Sequence, residues 1–145
     1  METEHPQEEL LKAEKAALRL IARAEQSSLG LTAKLESRGY DSAVAKTVVS
    51  GLLERNLLND GRYAECWIRS RLGRAPSPQW LLASLGRKGI DRDSSEKALK
   101  RVLDPETEYA LLLRYLEKIC LPGSKRAILK HKGFSFEVLD RFFKN

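Results

Sequence analysis

Cysteine and histidine are scarce in this sequence, with only two of each among 145 residues. Cys66 and Cys120 lie far apart and outside any CxxC pair, and His5 and His131 are equally isolated. A structural zinc site needs about four clustered nitrogen or sulfur ligands, so we expect no metal site. Because both cysteines lie among apolar neighbours, we predict that their side chains are buried or half-buried.

Residue sets typical of enzymes are missing as well. No glycine loop is long enough to cradle a phosphate, because Gly86 to Gly89 is too short and fits a helix end better. The sequence offers no convincing Ser/His/Asp or Cys/His set, and two isolated histidines are poor candidates for a general base. We therefore expect a binding protein that uses no cofactor, and not an enzyme.

Long hydrophobic runs are also absent, and none approaches the ~20 apolar residues of a membrane-spanning helix. Residues 1–20 are acidic and then amphipathic, unlike a secretory signal peptide. We expect a cytoplasmic protein without membrane contact. Aromatic residues make up only 7% of the chain, while Leu, Ala, Lys, Arg and Glu are abundant, a composition that favours helix.

What the sequence does contain is a repeat. Three segments share the pattern Leu-x-x-(Arg/Lys)-Gly-apolar around Gly39, Gly89 and Gly133, which are 50 and 44 residues apart (39 to 89, and 89 to 133). A cation followed by glycine is the expected end of a helix, because glycine adopts the left-handed conformation without steric cost. Each glycine is followed by an amphipathic stretch. We predict an all-α fold of three tandem three-helix repeats forming an elongated, curved array.

Helix-start residues predict where the repeats begin and end. We expect an acidic, partly helical leader over residues 1–16, then repeats over 17–59, 60–103 and 104–145. The predicted N-caps are Asp41, Asp60, Ser77, Asp91, Asp104 and Ser135. Pro78 and Pro105 follow two of these caps at the first helical position, and Pro122-Gly123-Ser124 predicts a break in the third repeat.

The net charge of +6, from 26 Lys and Arg against 20 Asp and Glu, favours an acidic partner. Two windows hold no acidic residue, Cys66 to Ile90 and Lys118 to Phe136, so positive charge concentrates in the second and third repeats. Trp80 lies in the first window, where it can stack on a base or fill a protein pocket. Its helical spacing from Leu81 and Leu85 is more often that of a core residue than of a ligand contact, and cations at helix ends are commonly only solvated.

The segment from Asp60 to Arg71 (DGRYAECWIRSR), the break over 73–78 and the turn Leu85-x-x-Lys88-Gly89-Ile90 together resemble the RecX family signature. The stretch over 34–40 is similar to the family's opening module, and the resemblance covers the chain from about Ala17. Two departures concern contact details: Ala75-Pro76-Ser77-Pro78 replaces the family's Gly-Pro pair, and residues 27–30 are less charged than its arginine-rich opening.

This resemblance implies a monomeric regulator, mainly an inhibitor, of the RecA recombinase. Such a protein binds the RecA filament on single-stranded DNA, suppresses ATP hydrolysis and strand exchange, and acts in DNA repair, recombination and the SOS response. The family's positions place partner contacts at Arg62, Arg69, Arg71, Arg74, Arg87 and Lys88, extended by Lys125, Arg126, Lys130 and Lys132. Asp60, Tyr63 and Trp67 are expected to shape the second repeat.

A helical protein that binds nucleic acid without sequence specificity is the alternative. Three-helix units resemble helix-turn-helix modules, but the third helix of each repeat ends in residues suited to packing and lacks a recognition face. Phosphate contact with single- or double-stranded DNA, without base reading, stays open beside RecA binding. Whether such a regulator only inhibits RecA or also stabilises its filaments is open at this point.

Overall fold

The structure of the protein is a computed structural model that describes residues 6–119 and 125–144. Within these ranges nine α-helices and one 3₁₀ turn, Leu72–Arg74, account for the regular structure, and no strand occurs. The helices are α1 Pro6–Arg23, α2 Ser28–Ser37, α3 Ser42–Glu54, α4 Asp60–Arg71, α5 Pro78–Arg87, α6 Arg92–Val102, α7 Pro105–Lys118, α8 Lys125–His131 and α9 Phe136–Lys144. The all-α prediction is confirmed. The predicted break at 122–124, His5 and Cys120 lie outside the described residues.

The chain divides into two compact units, Met1–Tyr63 and Ala64–Asn145. In the first unit α1, α2 and α3 pack on one another around fully buried Leu31, Leu35 and Leu52. In the second unit α5 packs on α6, and α9 packs on α7 and α8. A cluster that includes Leu112, Leu129 and Leu139 fills this second core. Of the described helices, none is long and apolar enough to cross a membrane.

The three predicted glycine turns are confirmed. Gly39, Gly89 and Gly133 have φ angles of 96°, 85° and 97°, in the left-handed region that favours glycine. At each turn the residue after the glycine donates its backbone N–H to the carbonyl of the leucine five positions before that residue, as Tyr40 does to the Leu35 carbonyl over 3.3 Å. This hydrogen bond defines a Schellman motif, so the repeated sequence pattern is a repeated helix end.

Most predicted helix caps are confirmed, and Asp60 is the exception. Ser77, Asp91 and Asp104 accept backbone N–H groups of α5, α6 and α7. Asp41 occupies the N-cap of α3 without a side-chain hydrogen bond. Asp60 is instead the first residue of α4, and the Asn59 side chain accepts from the Arg62 backbone N–H over 2.9 Å.

Asp60 serves a different helix. Its carboxylate accepts the backbone N–H and the hydroxyl of Ser28, both over 2.7 Å, at the start of α2. Glu108 on α7 binds Ser135 in the same two-point way, over 2.7 and 2.8 Å, where α9 begins. Each carboxylate therefore ties the positive end of one helix to a distant helix, and the prediction of Asp60 as a local cap is wrong.

Cys66 is exposed on α4 as a free thiol. The prediction of a buried or half-buried side chain is wrong for this residue. Its neighbours Trp67 and Ile68 occupy the buried face of the helix, and on a helix the adjacent residue points about 100° away from that face. Apolar neighbours in sequence therefore did not imply an apolar environment.

Candidate functional site: a basic groove around two tryptophans

Two tryptophans stack on the surface of the second unit. The Trp67 ring of α4 and the Trp80 ring of α5 have centroids 5.8 Å apart and planes inclined by 22°. Trp67 is 9% exposed, whereas Trp80 is 46% exposed. Leu81 and Leu85 on the same helix are fully buried, but Trp80 is too exposed to be a core residue. The two rings form a platform with one buried and one solvent-facing member.

Two cations hold the buried ring. The guanidinium carbon of Arg71 lies 5.3 Å from the Trp67 ring centroid, and the Lys88 Nζ lies 5.5 Å from it. Arg71 follows Trp67 by four positions on α4, which places both on one helix face. Lys88 follows the last residue of α5, at the predicted Lys-Gly helix end. Both distances are within the range of cation–π attraction, so two predicted contact residues also orient the platform.

The platform opens into a groove of about 480 Å³, which we name the Trp80 groove. Its lining comprises two rings, one hydroxyl and four cations: Trp67, Arg71, Arg74, Trp80, Ser84, Arg87 and Lys88. None of the lining residues is acidic. Arg87 donates to the Ser84 hydroxyl over 3.0 Å, and its remaining N–H donors face no ion-pair partner within the described residues. The groove therefore concentrates positive potential beside an exposed aromatic face.

A second groove of about 600 Å³ shares Arg71, Arg74 and Trp80 with the first, and we name it the adjoining groove. It adds two cations, Lys118 of α7 and Lys132 after α8, and again no acidic side chain. Tyr115 also lines it, and burial raises the pKa of its hydroxyl, which keeps that group neutral. Positive charge thus continues past Trp80 onto the third predicted repeat.

The turn that carries Arg74 is fixed by cations of α7. Arg114 donates to the carbonyls of Leu72 and Gly73 over 3.3 and 2.7 Å, and Lys118 donates to the carbonyl of Arg74 over 3.1 Å. These donors bind the three carbonyl groups of the 3₁₀ turn Leu72–Arg74, of which the Leu72 carbonyl also accepts the Ala75 backbone N–H. Ala75 then reverses the chain in the left-handed conformation, with φ 50°. Arg74 is therefore presented from an ordered turn.

The predicted contact residues separate into groups. Arg71, Arg74, Arg87 and Lys88 line the Trp80 groove, and Lys132 lines the adjoining groove. Arg69, Lys125 and Lys130 are exposed, line neither groove and form no ion pair with a described residue. Two others are engaged with carboxylates: Arg62, in the first unit, with Glu25 over 2.6 Å, and Arg126 with Asp140 over 3.6 Å.

Three contributors were not predicted as site residues. Trp67 was expected only to shape the second repeat, yet its ring stacks on the exposed Trp80 ring and contacts two cations. Lys118 and Arg114 were not predicted as site residues either. The acid-free window did include Lys118, whereas no local pattern marks Arg114, because its partners are about 41 residues earlier. Within the described residues, no group of three or more His, Cys, Asp or Glu side chains is placed to hold a metal ion.

Comparisons with known proteins agree with the sequence resemblance. The family model described as "RecX, second three-helix domain" matches residues 59–99, which contain every residue of the Trp80 groove. The chain is 37% identical over 135 residues to Regulatory protein RecX of Treponema pallidum (strain Nichols), covering 90% of this chain and 82% of that protein. It is 31% identical to Regulatory protein RecX of Halorhodospira halophila, covering 82% and 74%.

Two solved structures have a similar fold. The crystal structure of RecX from Lactobacillus salivarius superposes with a TM-score of 0.67 at 24% identity, covering 94% of this chain and 96% of that one. Another crystal structure, of regulatory protein RecX, gives a TM-score of 0.70 at 20% identity and covers 97% and 74%. At these identities the likeness concerns the fold.

Proposed function

The chain belongs to the RecX family of regulatory proteins, and from this premise we propose that it binds the RecA filament on single-stranded DNA and lowers its ATPase and strand-exchange activities. It acts in this proposal as a binding protein and not as a catalyst. Its relatives are regulatory proteins by name. The groove chemistry supplies the surface for an acidic partner.

The observation that carries the proposal is the acid-free cluster of cations on the second unit. Six cations line the Trp80 groove and the adjoining groove together: Arg71, Arg74, Arg87, Lys88, Lys118 and Lys132. A nucleoprotein filament presents DNA phosphates, to which such a cluster is electrostatically complementary. Four of the six cations, those that line the Trp80 groove, lie within the segment that the family model matches.

Among the predicted contacts we assign the main contribution to Arg71, Arg74, Arg87 and Lys88, with Lys132 continuing the surface. Arg69, Lys125 and Lys130 are exposed and available for peripheral contacts. Arg62 and Arg126 already pair with carboxylates, so a new partner gains less from them. Substitution of Arg62 is expected to act first on the Glu25 contact within the first unit.

The test is the rate of ATP hydrolysis by RecA filaments preformed on single-stranded DNA, titrated with this protein at sub-stoichiometric ratios. We expect strong inhibition, because the resemblance to the RecX family implies that the protein suppresses ATP hydrolysis by the filament. The same titration with a several-fold excess of single-stranded DNA separates filament binding from simple DNA sequestration. Unchanged hydrolysis at stoichiometric protein would contradict the proposal.

The alternative is a protein that binds nucleic acid without sequence specificity and without RecA. The exposed Trp80 ring beside unpaired cations specifically favours it, since bare strands bind such surfaces. In the ATPase titration this alternative predicts that excess single-stranded DNA fully relieves any inhibition. Inhibition that persists in excess DNA favours direct binding to the filament.

A further inference from the structure

Of the large hydrophobic side chains that the structure describes, Phe136 is the most exposed, at 70%. It is the first residue of α9, and Phe143 on the same helix is 39% exposed. Seven positions separate the two residues, so both rings lie on one face of α9, about 10 Å apart along its axis. Neither ring lines the Trp80 groove or the adjoining groove. We name these two rings, together with the Arg126 side chain that contacts both, the phenylalanine patch.

Arg126 of α8 holds the two rings in place. Its guanidinium carbon lies 5.3 Å from the Phe136 ring centroid and 6.0 Å from the Phe143 ring centroid, both within the range of cation–π attraction. Asp140, one turn after Phe136, pairs with Arg126 over 3.6 Å and with Lys144 over 3.0 Å. A surface that is already ordered loses little conformational entropy when a partner binds.

The patch is joined to the second core through Phe142. The rings of Phe142 and Phe143 meet edge to face, with centroids 5.1 Å apart and planes inclined by 87°, and Phe142 packs against the core cluster. A single exposed hydrophobic side chain is ordinary on a protein surface. Two exposed rings that share one guanidinium and rest on the core are different, because aromatic residues and arginine are the types enriched at the centre of protein interfaces.

We propose that the phenylalanine patch is a docking surface for an acidic amphipathic helix of a partner protein. The apolar stripe of that helix covers Phe136 and Phe143, and its carboxylates face the cations of α8. A helix that presents apolar side chains at i, i+3 or i+4, and i+7 has the same spacing as the two rings. This surface goes beyond the proposed function, which assigns partner binding to the two grooves.

The charges around the patch favour an acidic partner. α8 and α9 together contain five Lys and Arg residues, three on α8 and two on α9, against two acidic residues. Lys125 and Lys130 of α8 are exposed and form no ion pair with a described residue. Lys130 follows Arg126 by four positions, so it extends the same helix face one turn beyond the patch. A partner with carboxylates beside its apolar stripe therefore meets unpaired cations.

Nucleic acid and a second copy of this chain fit the patch less well. Glu137 adjoins the exposed Phe136 ring and Asp140 follows one turn later, so a strand stacked on that ring would bring phosphates close to carboxylates. The two grooves, by contrast, have no acidic lining residue. A second copy docked patch to patch would bring the same excess of cations together. An acidic helix avoids both conflicts, because its carboxylates need to lie only opposite α8.

The test is fluorescence anisotropy of a labelled synthetic peptide, titrated with the full chain. The peptide has about 18 residues, long enough to form a helix, with Leu at helical spacing and Glu at most other positions. We expect saturable binding to the wild type and none to a peptide with Lys in place of each Glu. Phe136→Ser should weaken binding of the acidic peptide about 10-fold, and the double variant Phe136→Ser, Phe143→Ser about 30-fold or more. Because Phe136 is 70% exposed, circular dichroism melting of the single variant should match that of the wild type.

The first unit provides a matched control. Leu11→Ser with Leu29→Ser removes two other exposed hydrophobic side chains, which are 57% and 56% exposed. This variant should bind the acidic peptide as the wild type does. Equal loss of binding in the leucine variant and in Phe136→Ser would overturn the proposal, and so would equal binding of the peptide by Phe136→Ser and the wild type. Absence of binding to the wild type would overturn it as well.

Two further measurements test the other occupants. Binding of labelled oligothymidylate that weakens in Phe136→Ser would assign the patch to nucleic acid. A dimer in sedimentation velocity that Phe136→Ser dissociates would assign the patch to a second copy of this chain. Either result would overturn the proposal. The peptide assay contains neither RecA nor DNA, so its failure would leave the proposed function standing, and failure of the RecA titration would leave the docking surface standing.

Discussion

At the residue scale, the Trp67 ring is the buried aromatic side chain of the Trp80 groove. It is 9% exposed, stacks on Trp80 and is flanked by Arg71 and Lys88. Its Nε1–H is buried and has no acceptor among the described residues, although a buried indole N–H usually finds one. The position of the ring therefore rests on packing and cation–π contacts and not on a hydrogen bond.

This makes the aromatic ring, and not the indole nitrogen, the stabilising feature. We expect Trp67→Ala to lower the free energy of unfolding by about 3–5 kcal/mol, as large aromatic truncations do. Trp67→Phe keeps an aromatic face and loses no hydrogen bond, so its cost should be about 1–2 kcal/mol. Urea denaturation followed by circular dichroism measures both. Equal costs would contradict this account, because they would show that a phenyl ring at this position stabilises the fold no more than a methyl group does.

Two helix caps predict how stability depends on acid. The pKa of the Asp91 carboxyl group is lowered below 3.8, because its carboxylate accepts a hydrogen bond from the Ser94 backbone N–H. The pKa of the Asp104 carboxyl group is lowered in the same way by the Thr107 backbone N–H. A carboxylate whose pKa is lowered by folding stabilises the protein above its unfolded pKa, and this contribution is lost as the pH falls through the folded pKa. The caps should therefore contribute fully above about pH 4 and fade below it.

Asparagine caps a helix without titrating, so Asp91→Asn with Asp104→Asn is a direct test. We expect thermal unfolding midpoints of the double variant to fall less steeply than those of the wild type between about pH 4 and pH 2.5. Parallel curves would mean that these carboxylates do not stabilise the fold through their charge. The midpoint at neutral pH provides the reference for each protein.

Asp91 and Asp104 were predictable as caps because each bonds a backbone group three positions later. Asp60 was not, because Ser28 is 32 residues away. Local hydrogen bonds are encoded in short patterns, whereas the partner of Asp60 depends on how helices pack. The prediction that Cys66 is buried was wrong for a related reason, since neighbours in sequence do not define which helix face is buried.

At the element scale, the glycine turns are repeated in conformation but not in surroundings. Gly39 and Gly133 have nearly the same φ angle. A Cβ added at Gly39 would meet nothing within 4 Å, whereas one at Gly133 would lie 2.9 Å from the Gln79 backbone nitrogen and 3.2 Å from the Pro78 Cβ. At Gly133, the absence of a side chain therefore also permits the close approach of α5.

The two positions form a matched pair. Gly39→Ala should cost about 1–2 kcal/mol of unfolding free energy from the left-handed conformation alone. Gly133→Ala should cost more, about 3 kcal/mol, because the backbone at Gln79 must shift. Hydrogen exchange adds a local check: the Gln79 N–H donates to the Lys132 carbonyl over 2.8 Å, so its protection should fall only in Gly133→Ala. Equal costs with unchanged protection would contradict the close packing.

The pattern that predicted these turns could not predict the groove beside them. A Schellman turn involves six consecutive residues and is visible in sequence. The Trp80 groove requires α4 to bring Trp67 beside Trp80 and α7 to bring Arg114 to Leu72, 42 residues earlier. Such contacts follow from tertiary packing. The only sign of them in the sequence was the absence of acidic residues in two windows, which indicated that positive charge would be concentrated there.

At the scale of the whole molecule, a modest charge excess becomes a localised one. The net charge of +6 is small for 145 residues, yet two connected grooves on the second unit hold six cations and no carboxylate. Of the ten predicted contacts, four line the Trp80 groove, and a fifth, Lys132, lines the adjoining groove only. The sequence windows indicated this concentration correctly, while the role of each cation required the fold.

Two charge-reversal variants separate the effect of the groove cations from the effect of the overall net charge. The variant Arg71→Glu, Arg74→Glu, Arg87→Glu, Lys88→Glu reverses the four cations of the Trp80 groove and lowers the net charge by eight, from +6 to −2. Arg19→Glu, Arg38→Glu, Lys46→Glu, Lys100→Glu makes the same change at exposed cations that line neither groove. Circular dichroism melting checks both folds, since Arg71 and Lys88 also contact Trp67.

The most direct measurement is ATP hydrolysis by RecA filaments on single-stranded DNA, titrated in parallel with the wild type and these two variants. We predict that the groove variant loses inhibition, requiring roughly 100-fold more protein, while the control stays within about threefold of the wild type. Inhibition by a folded groove variant at wild-type concentrations, or equal loss in both variants, would contradict the assignment of RecA regulation to the groove.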